Sequence, residues 1–199
     1  MRVLAGVSGM AVGDTRPEGA GSDRISFRPL RSSDLPLLHR WLNAPHVARW
    51  WYGDDTSWRG VVEEYTRYIE GREPVEPYLI LHDDRPIGYI QAYLVSDDEE
   101  YAGLVEVEVE DSAGVDMFIG EEEYLYRGLG GEILRRFLVR VVFRDERVRV
   151  CVIGPESKNV AAIRAYEKAG FCFFKTIQVP GEPEPEHLMR IGREEVFGT

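Results

Sequence analysis

The sequence predicts a mixed α/β domain in which a central mixed β-sheet of about seven strands is flanked by helices. Three observations lead there. Short β-rich runs alternate with stretches of helical periodicity in the order β-α-α-β-β-β-α-β-α-β-β, which mixes antiparallel and parallel pairing and contains no internal repeat. The longest amphipathic stretch follows three closely spaced glycines, Gly128, Gly130 and Gly131. A chain of 199 residues, 44% hydrophobic and 11% aromatic, suffices for one substantial core and falls short of two.

The elements follow in order. Residues 1–23 are rich in Gly and small residues without sustained periodicity and read as a flexible N-terminal extension, leaving 24–199 as a single domain. ISFRPL is a short strand. Ser32 or Ser33 then caps a helix with Leu35, Leu38, Trp41 and Leu42 on its apolar face, and PHVARWW adds a helical turn ending in an aromatic loop. Val61, Val62, Tyr65, Tyr68 and Ile69 define a second helix that stops at Gly71. PYLILHDD and RPIGYIQAYLV form an antiparallel hairpin with a possible bulge at Gly88, followed by an acidic loop. GVDMFIG is a strand that leads into the glycine turn and the helix carrying Leu129, Ile133, Leu134, Phe137 and Leu138. VRVCVIG is the next strand, NVAAIRAYEKAGF a helix ended by Gly170, and FCFFKTIQVP and EHLMRIG two last strands around an acidic, proline-containing loop.

Composition narrows the function. With 24 Lys+Arg against 35 Asp+Glu the net charge is −11, which disfavours nucleic acid and anionic membrane as partners and favours a cationic one. The acids cluster at 97–100, 106–111, 121–123 and 182–186. Cys151 and Cys172 lie in apolar surroundings without metal-ligand spacing, so buried free thiols in a reducing compartment are expected, with no metal site. Apolar runs fall far short of the roughly 18 residues of a membrane span, and no h-region with a cleavage site opens the chain. A cytoplasmic protein is the default, with a monomer expected and a dimer left open.

A glycine-rich turn opening a helix is either a tight connection or a cradle of backbone N–H groups for phosphate at the positive end of the helix dipole. The nucleotide versions fail, since no Lys-Ser/Thr pair follows the glycines and GxGxxG with an acid about 20 residues later is not matched. The second constellation is more specific. Asn159, Ala162, Tyr166, Lys168, Gly170 and Phe171 in NVAAIRAYEKAGF resemble the closing signature of the GCN5-related N-acetyltransferases, the GNAT superfamily. The resemblance implies a GNAT-type fold in which two parallel strands splay and acetyl-CoA (acetyl-coenzyme A) is bound as co-substrate, with no metal. It assigns the pyrophosphate to Arg127, Gly128, Gly130 and Gly131, the pantetheine arm to the edge at Phe118 and Ile119, and further cofactor contacts to Tyr126, Leu129 and Asn159. Tyr166 would protonate the departing thiolate. The Gln or Arg that usually stands three residues before the first glycine is Leu125 here.

A third layer, HRWLNAPHVARWW, the hairpin, GVDMF and AIRAYEKAGF in this order, resembles the aminoglycoside 6′-N-acetyltransferases over roughly Ile25 to Ile191. These enzymes confer antibiotic resistance. The resemblance makes Asp116 the carboxylate at the transfer centre, and Trp51 and Tyr65 aromatic walls of the sugar site. An acid amid Val115, Met117, Phe118 and Ile119 is costly unless paired or facing a cleft. If strand alternation holds, Asp116 shares a face with Phe118, and a substrate ammonium would be its partner. The acidic runs suit a polycationic sugar, with Asp98 and Glu184 as further substrate contacts. One departure stands out. Where the resistance enzymes place an Asp before the proline that precedes the Asn helix, this chain has Gly154, so Glu156 or an acid of 182–186 would have to replace it.

The expected function is therefore acetyl transfer from acetyl-CoA to the 6′-amino group of an aminoglycoside. The alternatives are acylation of a hydroxylated lysine or similar small amine in siderophore synthesis, whose enzymes would carry His at Asp116, and a non-catalytic protein that holds an acyl-CoA or a cationic ligand.

Overall fold

The computed structural model describes residues 24–51, 55–106, 111–181 and 183–198. The extension assigned to residues 1–23 lies outside the described residues. Seven strands form one sheet in the order β1-β2-β3-β4-β5-β7-β6, where β1 is Ile25–Pro29, β2 Val75–His82, β3 Arg85–Leu94, β4 Ser112–Ile119, β5 Val150–Ile153, β6 Cys172–Ile177 and β7 Glu186–Gly192. Every pairing is antiparallel except β4 with β5.

Alternation along β4 sorts the core onto two faces. Ala113 and Val115 join a cluster with Ile133, Leu134, Phe137 and Leu138, which come from helix α5 (Leu129–Arg140). Phe118 points the opposite way, into a cluster built by α1 (Leu35–Leu42), α2 (Pro45–Ala48) and α3 (Trp58–Ile69). Helix α6 (Val160–Ala169) packs beside α5. Helical spacing therefore marked the right elements. Gly71 and Gly170 stop α3 and α6 with φ of +66° and +104°, the left-handed conformation that favours glycine.

The hairpin β2–β3 turns at Asp83 and Asp84, both with positive φ, and carries the expected bulge, with Ile87 the extra residue beside Gly88. Its carbonyl accepts from the amides of Gly120 (2.8 Å) and Glu121 (3.1 Å), which anchors the chain where it leaves β4. A side chain at Gly88 would strike the carbonyl of Phe118, so the bulge lets β4 approach closely.

Four expectations are corrected. Neither Ser32 nor Ser33 caps α1. A 3-10 turn at Ser32–Asp34 runs into the helix, and the buried Asp34 carboxylate accepts from the Arg31 amide (2.9 Å) and both Nη atoms of Arg28 (2.6 and 2.8 Å). The stretch after the hairpin is not all loop, because Asp98 caps a helix, α4 (Glu99–Val105), by accepting from the Tyr101 amide at 2.9 Å. Val105 of α4 is buried with Val95, Val152, Ile177 and Leu188, a tertiary contact that overrides the acidic composition. A short α7 (Arg193–Phe197) follows β7. Both cysteines are free, but only Cys151 is buried; Cys172 lies exposed on the edge strand β6.

The Arg28–Asp34 pair gives a pH-dependent contribution to stability. The Arg28 guanidinium, with the Arg31 amide, holds the Asp34 carboxyl below its usual range. A carboxylate with a depressed folded-state pKa stabilises fully above its unfolded value of about 3.9 and loses that contribution as pH falls through the folded value. Asp34→Asn should cost about 2 kcal/mol in urea unfolding at pH 7, and the gap to wild type should narrow below about pH 4. A pH-independent gap would refute the assignment.

Candidate active site

A cleft of about 1210 Å³ opens where the sheet splits. Strands β4 and β5 pair only at Ser112–Val150, Ala113–Cys151 and Gly114–Val152, while β4 continues to Ile119 and β5 ends at Ile153. From Val115 onward the edge of β4 that faces β5 has no strand beside it, although its other edge stays paired to β3 as far as Ile119. Backbone N–H and C=O groups on such an edge seek an extended partner.

The glycine turn closes one end of the cleft. Gly128 has φ of +77° and leads into α5, directing the first helical amides at the opening. The other two glycines answer a packing demand. A methyl at Gly130 would lie 3.1 Å from the Ala165 Cβ, and one at Gly131 3.0 Å from the Ala165 carbonyl. They let α6 approach α5 and bring Arg164 and Lys168, one helical turn apart, to the cleft beside those amides. Asn159 accepts from the Ala162 amide (3.2 Å) as the cap of α6 and also lines the cleft. Of the expected cofactor residues, Phe118, Ile119, Tyr126, Gly128, Leu129, Gly130 and Asn159 reach the cleft. Gly131 is buried under α6, and the Arg127 guanidinium sits 5.6 Å from the Tyr124 ring.

Asp116 stands in mid-cleft on the same face as Phe118, as alternation required. Its cross-strand neighbour is Gln91, whose Nε2 donates to Asp116 Oδ2 at 3.0 Å. Tyr89 donates to Gln91 Oε1 at 2.8 Å. Burial raises the Tyr89 phenol well above its ordinary pKa, so it keeps its proton and fixes which end of the amide meets the carboxylate. Tyr166 also lines the cleft and is 8% exposed; burial first, and the Asp116 charge second, push its phenol up. It stays a proton donor throughout the neutral range. The Cys151 thiol is pushed up by burial and by Asp116, and an unionised thiol is a poor nucleophile.

The aromatic wall is layered. Trp51 packs edge-on against Phe118 (5.0 Å) and Tyr89 (5.9 Å) and faces the cleft, as does Trp50 beneath Arg49. Tyr65, 1% exposed and packed on Tyr68 and Tyr89, also lines the cleft.

The acids need one correction. Asp98 lines the cleft while capping α4. Glu184 instead pairs with Lys158 and is not a lining residue; the acid of that loop that faces the cleft is Glu186, at the start of β7. Period-2 alternation in the last strand could have raised Glu186 from sequence, and helical spacing could have raised Arg164 and Lys168. Gln91 carried no signal, because its role depends on register with β4. Among the described residues, no group of three His, Cys, Asp or Glu side chains could hold a metal ion.

Comparison with known proteins gives the same picture. A family model described as an acetyltransferase (GNAT) domain matches residues 31–179. An aminoglycoside N(6')-acetyltransferase type 1 of Klebsiella pneumoniae is 33% identical over 165 residues, 81% of each chain. The crystal structure of the aminoglycoside acetyltransferase AAC(6')-Ib in complex with coenzyme A and kanamycin superposes with a TM-score of 0.77 at 31% identity, covering 88% of this chain and 98% of that one. A more distant relative, the lysine N-acyltransferase MbtK of Mycolicibacterium paratuberculosis, is 25% identical over 151 residues, 75% of this chain and 66% of that one.

Proposed function

Because the chain belongs to the GNAT acetyltransferase family, we propose that it transfers the acetyl group of acetyl-CoA to the 6′-amino group of aminoglycoside antibiotics and thereby confers resistance to them. The observation that carries this reading is Asp116, a carboxylate held by Gln91 where β4 runs on past its last pair with β5, in a cleft lined by both cations and acids. Arg164, Lys168 and the first amides of α5 suit a diphosphate, and Asp97, Asp98, Asp116 and Glu186 suit ammonium groups. A phosphate-bearing thioester and a polycation fit these two sets of groups.

Bound acetyl-CoA supplies the activated acyl carbon. The chain's own residues do the rest. The α5 amides and the two α6 cations hold the diphosphate, and the open β4 edge from Asp116 to Ile119 offers backbone groups to the pantetheine arm. Asp116 binds the substrate ammonium and helps remove its proton, so that a neutral amine is presented for attack. Backbone N–H groups on the β4 edge beyond its last β5 pair are donors for the acyl oxygen, and Tyr166 carries the proton for the leaving sulfur. With the Cys151 thiol buried and protonated, direct transfer is favoured over an acyl-cysteine route. A cytoplasmic setting follows from the need for acetyl-CoA.

The test is thiol release from acetyl-CoA with kanamycin, a hydroxylysine-type amine and a basic peptide as acceptors. Turnover on kanamycin alone is expected. Turnover on hydroxylysine alone would move the assignment to siderophore-type acylation, and none on any amine would leave a binding protein. Gln91 gives a second check. Gln91→Leu removes the donor that aims Asp116 and should lower kcat on kanamycin about tenfold while acetyl-CoA binding by calorimetry stays the same.

A further inference from the structure

Gly154 ends the β5 strand face of the cleft, and what covers it comes from another strand. A side chain at position 154 would run into the Glu186 carboxylate, which lies over the bare glycine backbone. The segments carrying the two residues are laced together. His187 N donates to Pro155 O at 2.7 Å, Ser157 N and Oγ both donate to Pro185 O at 3.0 Å, and Glu156 and Glu186 form a backbone bridge. Glu186 is thus held by backbone on both sides and directed into the cleft, with the Tyr101 hydroxyl 3.5 Å from Oε2.

The same device recurs next door. Gly114 of β4 lacks a side chain because the Tyr93 ring lies over it, and the charges of Asp116 and Glu186 both act on the Tyr93 phenol, raising it on top of burial. Tyr93, Asp116 and Glu186 all line the cleft.

We propose that Glu186 is the specificity-determining residue of the acceptor site: its carboxylate, admitted to the wall by the bare backbone of Gly154, docks a second ammonium group of the substrate while Asp116 handles the reacting one. This rests on the polyamine-sugar reading above and deepens it. The reacting amine engages Asp116 in any acceptor, whereas a second carboxylate in the same cleft rewards only acceptors with another ammonium at the matching distance.

The experiment compares kcat/KM for kanamycin with that for the monoamine 6-amino-6-deoxyglucose, in wild type, in Glu186→Gln and in the double variant Gly154→Asp/Glu186→Ala. Glu186→Gln keeps the shape and removes the charge. The preference for kanamycin should fall roughly ten- to hundredfold, mostly through KM, the size of one charged contact. The double variant returns a carboxylate to the same spot from β5 and should recover most of the preference, which distinguishes docking from structural damage. An unchanged preference in Glu186→Gln, or an equal loss on both acceptors, would overturn the proposal while leaving the acetyltransferase assignment intact. A wild type that acetylates no aminoglycoside would overturn both.

Discussion

Asp116→Asn is expected to lower kcat/KM for kanamycin by about 10²- to 10⁴-fold, the range of a positioned general base, while acetyl-CoA binding is retained. Asparagine keeps the size of the side chain, and its carbonyl oxygen can still accept from Gln91 Nε2, so the β3–β4 register should survive. What disappears is the negative charge that gathers the ammonium and helps take its proton. The pH dependence gives an independent readout. Without Asp116 the rate should depend on the fraction of amine already neutral in solution, so activity of the variant should climb between about pH 7 and 9 more steeply than that of wild type. An Asn variant with wild-type turnover and an unchanged profile would remove Asp116 from the mechanism.

Tyr166→Phe should lower kcat about ten- to hundredfold with little effect on KM for either substrate. The ring packs beside Phe171 at 6.4 Å between centroids, and phenylalanine preserves that contact, so a large loss of stability is not expected. Because burial and the Asp116 charge raise the Tyr166 phenol, it retains its proton to well above pH 10, and no alkaline limb below that pH should come from it. Acetyl transfer to a strongly basic amine, monitored by thiol release, checks both statements. If kcat were unaffected, water would have to serve as the proton source and Tyr166 would be a wall residue.

Both predictions concern residues visible in the sequence, and the reason is local. A helix is recognised from neighbours three and four positions apart, so α3, α5 and α6 could be read from their apolar spacing and from Gly71 and Gly170 at their ends. The hairpin and its bulge were equally legible, because alternation and a tight turn need only adjacent residues. Asp116 and Tyr166 were assigned by resemblance, with the cost of a charge in an apolar strand supporting Asp116, and the glycine turn stood out as three glycines opening a helix. The acidic segment around α4 misled because, besides Val95, the residues buried with Val105 lie in strands 47 or more residues later, beyond any short window.

By itself, the sequence determined the seven strands and the helices α1, α3, α5 and α6, though not α4 or α7, the alternation that turns Asp116 to one face of β4, and the composition that favours a cationic partner. Tertiary structure alone decided which groups meet. Gln91 reaches Asp116 through the register of two strands, Gly130 and Gly131 serve the approach of α6, and Glu186, not Glu184, comes to lie over Gly154. Local pattern is set by the chemistry of near neighbours, whereas a site joins residues tens of positions apart, whose meeting depends on register and packing across the whole sheet.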